Sequence, residues 1–167
     1  FNLVKEAVVA AVADFDAARI HKISALYPGI QTFENGDEII NNPAIDAVVL
    51  ATPIKTHYEL AKKALLAGKH VLVEKPLATS RAEVLELMEI ADSKGLKLMV
   101  DHTFLYTGAV QKIRELMDNG EIVDLQYFDS SRVNLGLFNP NWSVIWDLAV
   151  HDLSILDYIT SGKKIAA

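Results

Sequence analysis

Residues 67–76 read Ala67-Gly68-Lys69-His70-Val71-Leu72-Val73-Glu74-Lys75-Pro76, the order of a helix end, a short strand and a charged exit. Gly68 supplies the left-handed residue on which helices commonly stop. His70 to Val73 is short, largely apolar and β-branched, which predicts a strand. Glu74-Lys75-Pro76 then stands where that strand leaves the sheet. Ligands of open parallel sheets bind outside the carboxyl ends of the strands, so a charged pair halted by a proline is placed for chemistry. Pro76 also restricts Lys75 to extended backbone.

Outward from this stretch, apolar runs alternate with amphipathic ones. Ala7 to Ala13 (AVVAAVA) and Ile45 to Thr52 (IDAVVLAT) predict strands buried on both faces. Ile30–Phe33 and Lys97–Asp101 predict two more. Between them the spacing predicts helices over Ala17–Leu26, capped by Asp16, a turn or two at Asp37–Asn41, and a longer helix over Lys55–Ala67. Helices over Arg81–Ser93, capped by Thr79 or Ser80, and over Gly108–Asn119 follow. Strands and helices alternating at this interval mean βαβ units and a Rossmann-type α/β parallel sheet with helices on both faces. After Gly120 the texture changes. Glu121 to Asn134 alternates like a half-exposed strand of a different sheet, and Val144 to Ile159 returns to helical spacing. The reading is a dinucleotide-binding domain over 1–120 and the beginning of a second, α+β, domain over 121–167.

Composition narrows the function. The chain has 167 residues, is 51% hydrophobic and carries a formal charge of −6. That is enough apolar material for a core, and the wrong sign for nucleic acid or an anionic membrane. No apolar run approaches the ~18 residues of a membrane span. With no cysteine, thiolate catalysis, thiolate metal sites and disulfides are excluded, and no metal is expected. A cytoplasmic location is the expectation.

The wording of residues 67–76 resembles the AGKHVxxEKP signature of the Gfo/Idh/MocA family of NAD(P)-dependent oxidoreductases, which act mostly on sugars and cyclitols. The resemblance runs along nearly the whole chain. It implies a hydride transferred between a nicotinamide cofactor and a secondary hydroxyl of a sugar or nucleotide-sugar. Lys75 is then the group that polarises the substrate oxygen; elsewhere it would be a surface lysine paired with Glu74. The Lys75–Pro76 bond is often cis in such proteins. Asp147 and His151 match the family's DxxxH pair, and four residues apart on a helix they share a face and can meet. An imidazole held by a carboxylate is a general base. A capping aspartate and a core histidine are the plain alternative.

Cofactor residues follow in the same way. Asp14 closes the first strand, where an acid accepts hydrogen bonds from the adenosine ribose, though it can equally cap the next helix. An acid there favours NAD over NADP, and Arg19 softens the preference. Ala51 to His57 resembles the family's ATPxxxH segment beside the nicotinamide, which nominates Thr52, Pro53 and His57, with Glu74 and Lys75 at the next strand end. For His57, a buried and satisfied ring is an equal alternative. His102, Tyr106, Arg132 and Asn134 are candidates for the sugar pocket, Arg132 being as readable as a salt bridge. HTFLY, SRVNLGLF and WDLAVHDLSIL look most like members acting on nucleotide-linked sugars.

The family's Gly-rich turn, roughly 20 residues before Asp14, is not in this sequence, nor is the rest of a second domain. The expectation is a chain truncated at both ends, binding NAD weakly as it stands. A non-catalytic module that binds NAD or a sugar nucleotide is the alternative function. A homo-oligomer formed through the second-domain sheet is the expected assembly.

Overall fold

The computed structural model describes residues 4–122, 125–133 and 143–160. They group into two compact units, Phe1–Val73 with Ala78–Met99, and Glu74–Leu77 with Val100–Ala167.

In the first unit, β1 (Ala11–Ala13) leads through α1 (Ala17–Leu26) to β2 (Gln31–Phe33), and the two strands pair in parallel with Ala11 beside Gln31 and Ala13 beside Phe33. Asp16 caps α1 by accepting from the Ala18 and Arg19 amides. A short helix, α2 (Gly36–Ile40), follows, capped by the Asn35 side chain. β3 (Ala47–Leu50) pairs in parallel with β4 (His70–Val73), Val48 beside Val71 and Leu50 beside Val73. β5 (Leu98–Val100) lies on the other side of β4. Between β3 and β4 run a 3-10 turn, Ile54–Thr56, and α3 (His57–Leu66); between β4 and β5 runs α4 (Arg81–Lys94).

The decapeptide folds as its residues dictate. Gly68 is left-handed at φ 81°, its amide donates to Leu65 O and the Lys69 amide to Ala64 O, which closes α3 in a Schellman turn. The Lys69 side chain turns inward, its ammonium donating to the carbonyls of Asn42 and Ile45, each at 2.7 Å. At α4, Ser80 accepts from the Glu83 amide while the Glu83 carboxylate accepts from the Ser80 amide, a complete capping box.

The core of this unit is one-sided. Val48, Leu50, Val71 and Val73 are buried, as are Ala61, Ala64 and Leu65 of α3 and Leu87 and Ala91 of α4. Val49, on the opposite face of β3, is half exposed, so the expectation of strands buried on both faces fails for β3. β1 is also shorter than the run 7–13 predicts. Val8 is fully outside, because no strand lies beside 7–9 among the described residues and an unpaired backbone gains nothing by extending.

The second unit holds the loop 74–77, a 3-10 turn at Thr103–Tyr106, α5 (Gly108–Asp118), the segment 125–133, a π-helical turn at Ile145–Ala149 and α6 (Val150–Ile159). α5 packs on α6, with Arg114 donating to Tyr158 O and stacking on its ring. The strand expected over 121–134 is not formed in the described part, 125–133, which is almost wholly exposed and has no strand to pair with among the described residues. No helix of the described residues is long and apolar enough to cross a membrane.

Candidate active site

The chemistry-bearing side chains of the second unit converge on one cluster. Lys75 leaves β4 through a cis bond to Pro76. Its amide donates to the Glu74 carboxylate, so Glu74 folds back on its own chain. The Lys75 ammonium donates to the Asp147 carbonyl at 2.6 Å and to its carboxylate Oδ1 at 3.0 Å, and is largely sheltered from solvent.

Asp147 therefore answers Lys75, and the Asp147–His151 pair expected from helical spacing is not made. The cause is local. Asp147 lies within the π-helical turn, and the i→i+5 repeat of such a turn is wider than the α-helical one, which moves residues four apart off a common line. His151, the second residue of α6, is buried, and its Nδ1 has no hydrogen-bond partner among the described residues. Its ring instead meets Phe104 edge to face, 4.7 Å between centroids and 67° between planes. Burial foremost, then the positive charge of Lys75, Arg132 and His102, holds the His151 pKa below the ordinary histidine value, with Asp152 pulling the other way. The imidazole is thereby kept neutral at neutral pH, the form that accepts a proton.

His102 shares this environment. Its Nδ1 is also buried without a partner among the described residues, and burial lowers its pKa against the opposing charge of Asp101. Arg132 is committed within the protein, Nε lying 2.9 Å from both oxygens of Asp152 and the guanidinium 4.5 Å above the Phe104 ring. Of the two readings weighed for Arg132, the salt bridge is the one formed. Tyr106 is mostly exposed, and Asn134 lies outside the described residues. Phe104 and Asp152 were not singled out from sequence, since neither the ring contact nor the ion pair leaves a local pattern.

In the first unit, Asp14 stands at the carboxyl end of β1. Its Oδ1 accepts from the Asp16 amide at 2.9 Å and its Oδ2 from Arg19 Nη1 at 3.3 Å. The Asp16 amide, with Arg19 adding to it, holds the carboxyl below the usual carboxylate range. Asp16, not Asp14, caps α1. Thr52 and Pro53 form the turn after β3, where the Thr56 hydroxyl lies 2.8 Å from Thr52 Oγ1 and donates to Pro53 O. His57 is 1% exposed and its Nε2 donates to Thr52 O at 2.8 Å, so the satisfied-histidine reading describes what is seen.

A dinucleotide asks for an acceptor at a strand end for its ribose hydroxyls and for polar turns at the neighbouring strand ends. The ionised Asp14 and the Thr52–Pro53 turn meet that description, and NAD or NADP is the cofactor class these residues fit.

Known proteins agree. Residues 1–102 match the Gfo/Idh/MocA family profile, described as an oxidoreductase family with an NAD-binding Rossmann fold. The dTDP-3,4-didehydro-2,6-dideoxy-α-D-glucose 3-reductase of Saccharopolyspora spinosa is 36% identical over 125 residues, covering 75% of this chain and 37% of that protein. KijD10, a 3-ketoreductase from Actinomadura kijaniata solved with NADP and TDP-benzene, is 32% identical with a TM-score of 0.61, over 67% of this chain and 34% of its own. A probable dehydrogenase from Thermotoga maritima shares the fold at a TM-score of 0.82 and 23% identity, over 96% of this chain and 49% of its own. The chain spans 33–38% of the length of the first curated relatives it matches. It belongs to the Gfo/Idh/MocA oxidoreductase family, whose matched domain is the NAD-binding Rossmann fold.

Proposed function

We propose that this chain carries the cofactor and catalytic residues of a dehydrogenase or reductase acting on a secondary hydroxyl, or the matching ketone, of a sugar or nucleotide-sugar. The observation that carries the reading is Lys75 at the exit of β4, sheltered and braced by Asp147, with the buried His151 in the same unit. Bound at Asp14, Thr52 and Pro53, NAD(P) supplies the acceptor or donor of hydride.

The remaining work falls to side chains. The Lys75 ammonium donates to the substrate oxygen and stabilises the negative charge that grows there. Asp147 holds that ammonium in place through two contacts. His151, neutral because it is buried among cations, takes the hydroxyl proton in the oxidative direction and returns it in the reductive one. His57 acts at one remove, fixing the Thr52–Pro53 turn. Glu74 is kept as a cofactor-side residue, and His102, Tyr106 and Asn134 as substrate contacts. The similarity to proteins named as dTDP-sugar reductases supports a nucleotide-linked substrate. The same reading divides the chain into a dinucleotide-binding part, 1–120, and the start of a substrate and oligomerisation part, 121–167, in a cytoplasmic homo-oligomer.

Absorbance of the reduced nicotinamide, followed with dTDP-linked sugars, free sugars and cyclitols, tests this directly. Turnover is expected on at least one of them, and Lys75→Ala lowers kcat by roughly 10²–10³ while the fold persists. NADH binding with no turnover on any of these substrates would replace the enzyme by a binding module.

A further inference from the structure

We propose that Arg132 is a positioning residue for His151: anchored by Asp152, its guanidinium presses the Phe104 ring against the imidazole and holds that imidazole in one orientation. The proposal rests on the reading of His151 as the group that handles the proton.

A general base is normally oriented through its second ring nitrogen, most often by a carboxylate. Here that device is missing. Asp147 is engaged by Lys75, and the buried Nδ1 of His151 has no partner among the described residues. What touches the ring is Phe104, edge to face at 4.7 Å. Phe104 lies in the 3-10 turn Thr103–Tyr106 and is itself covered by Arg132, 4.5 Å from the ring centroid. Arg132 in turn meets both oxygens of Asp152, the neighbour of His151 on α6. The chain of contacts Asp152–Arg132–Phe104–His151 is closed on itself. A planar cation over an aromatic face and an aromatic edge against a second ring are both directional, so the loop selects an orientation and does not merely fill space.

The charged groups facing His151 are Lys75 from the loop 74–77, His102 from the exit of β5, Arg132 from 125–133 and Asp152 from α6 itself. Arg132 neutralises Asp152 and adds its own positive charge. Removing it leaves Asp152 unpaired beside the imidazole, and both changes favour the protonated ring.

The test follows the His151 ring by NMR in the 167-residue chain, titrated as wild type, Arg132→Gln and Arg132→Lys. Arg132→Gln is expected to raise the His151 midpoint by roughly 0.5–1 unit and to broaden its ring signals. Arg132→Lys restores the midpoint but not the sharp signals, since an ammonium replaces the charge without the plane. Should Arg132→Gln fail to fold, Phe104→Leu keeps the ion pair and is expected to abolish the ring-current displacement of the His151 protons. An unmoved midpoint with unchanged Phe104–His151 contacts sinks the proposal. So does a raised substrate KM with an unmoved pH limb, which would make Arg132 a substrate ligand. If the midpoint moves but the acid limb of turnover does not follow it, Arg132 still positions His151, and it is the proton-handling reading of His151 that fails.

Discussion

As the proposed ribose acceptor, Asp14 would be the carboxylate that chooses between the two cofactors. Its two oxygens are fixed by the Asp16 amide and by Arg19, and both partners keep it ionised through the working pH range. A dinucleotide with free ribose hydroxyls donates to such an oxygen. One with a 2′-phosphate brings two charges of the same sign close together. Like charges at such close range repel, and exposure to solvent weakens that repulsion. Asp14→Ala is therefore expected to move the ratio of NADPH to NADH affinity by about tenfold toward NADPH. Arg19 assists, because it is mostly exposed and is left with Asp16 as its ion-pair partner when Asp14 goes. Fluorescence titration with the two reduced cofactors reads the ratio. An unchanged ratio would mean that Asp14 does not face the ribose.

Elements differ in how much of their own structure they encode. α4 carries both its ends: Ser80 and Glu83 form the capping box, and Gly95 is left-handed at φ 65° where the helix stops. Ser80→Ala is expected to cost about 1 kcal/mol, read as a lowered urea midpoint with an unchanged slope. The Glu83 half of the box is pH-sensitive. Its pKa is lowered, chiefly by the Thr79 amide, so its contribution is complete above the ordinary value of 4.5 and fades as the pH falls below it. Such local signals are why α1 and α4 could be bounded from sequence to within a residue or so: a cap acts on the amide beside it. Strands lack that privilege. The same apolar letters at 7–9 and at 47–50 end as exposed coil and as strand because only the latter finds a paired neighbour. Asp147 and His151 are the corresponding case in the site. Both residues were legible, but their pairing depended on an α-helical register that the turn Ile145–Ala149 does not keep.

Across the whole chain, the residues assigned to the cofactor, Glu74 and Lys75 apart, and those assigned to the proton fall in different compact units. Asp14, Thr52, Pro53 and His57 belong to the first; Lys75, Asp147, His151, His102 and Arg132 belong to the second. The loop Glu74–Leu77 is the telling piece, since it continues β4 in sequence yet groups with residues from Val100 onward. Each unit has its own hydrogen-bond network, the Thr52–Thr56–His57 turn in one and the Lys75–Asp147 and Arg132–Asp152 pairs in the other. Perturbations of separate networks combine with little coupling. Asp147→Asn and His151→Gln are therefore expected to leave the NADH dissociation constant within about twofold while lowering turnover. Asp14→Ala should do the reverse to the cofactor, leaving the His151 titration where it is. The double variant Asp14→Ala/His151→Gln should show the sum of the two effects, in free energy, within about 0.5 kcal/mol. A tenfold loss of NADH affinity on His151→Gln alone would contradict the division, and would make the second unit part of the cofactor site.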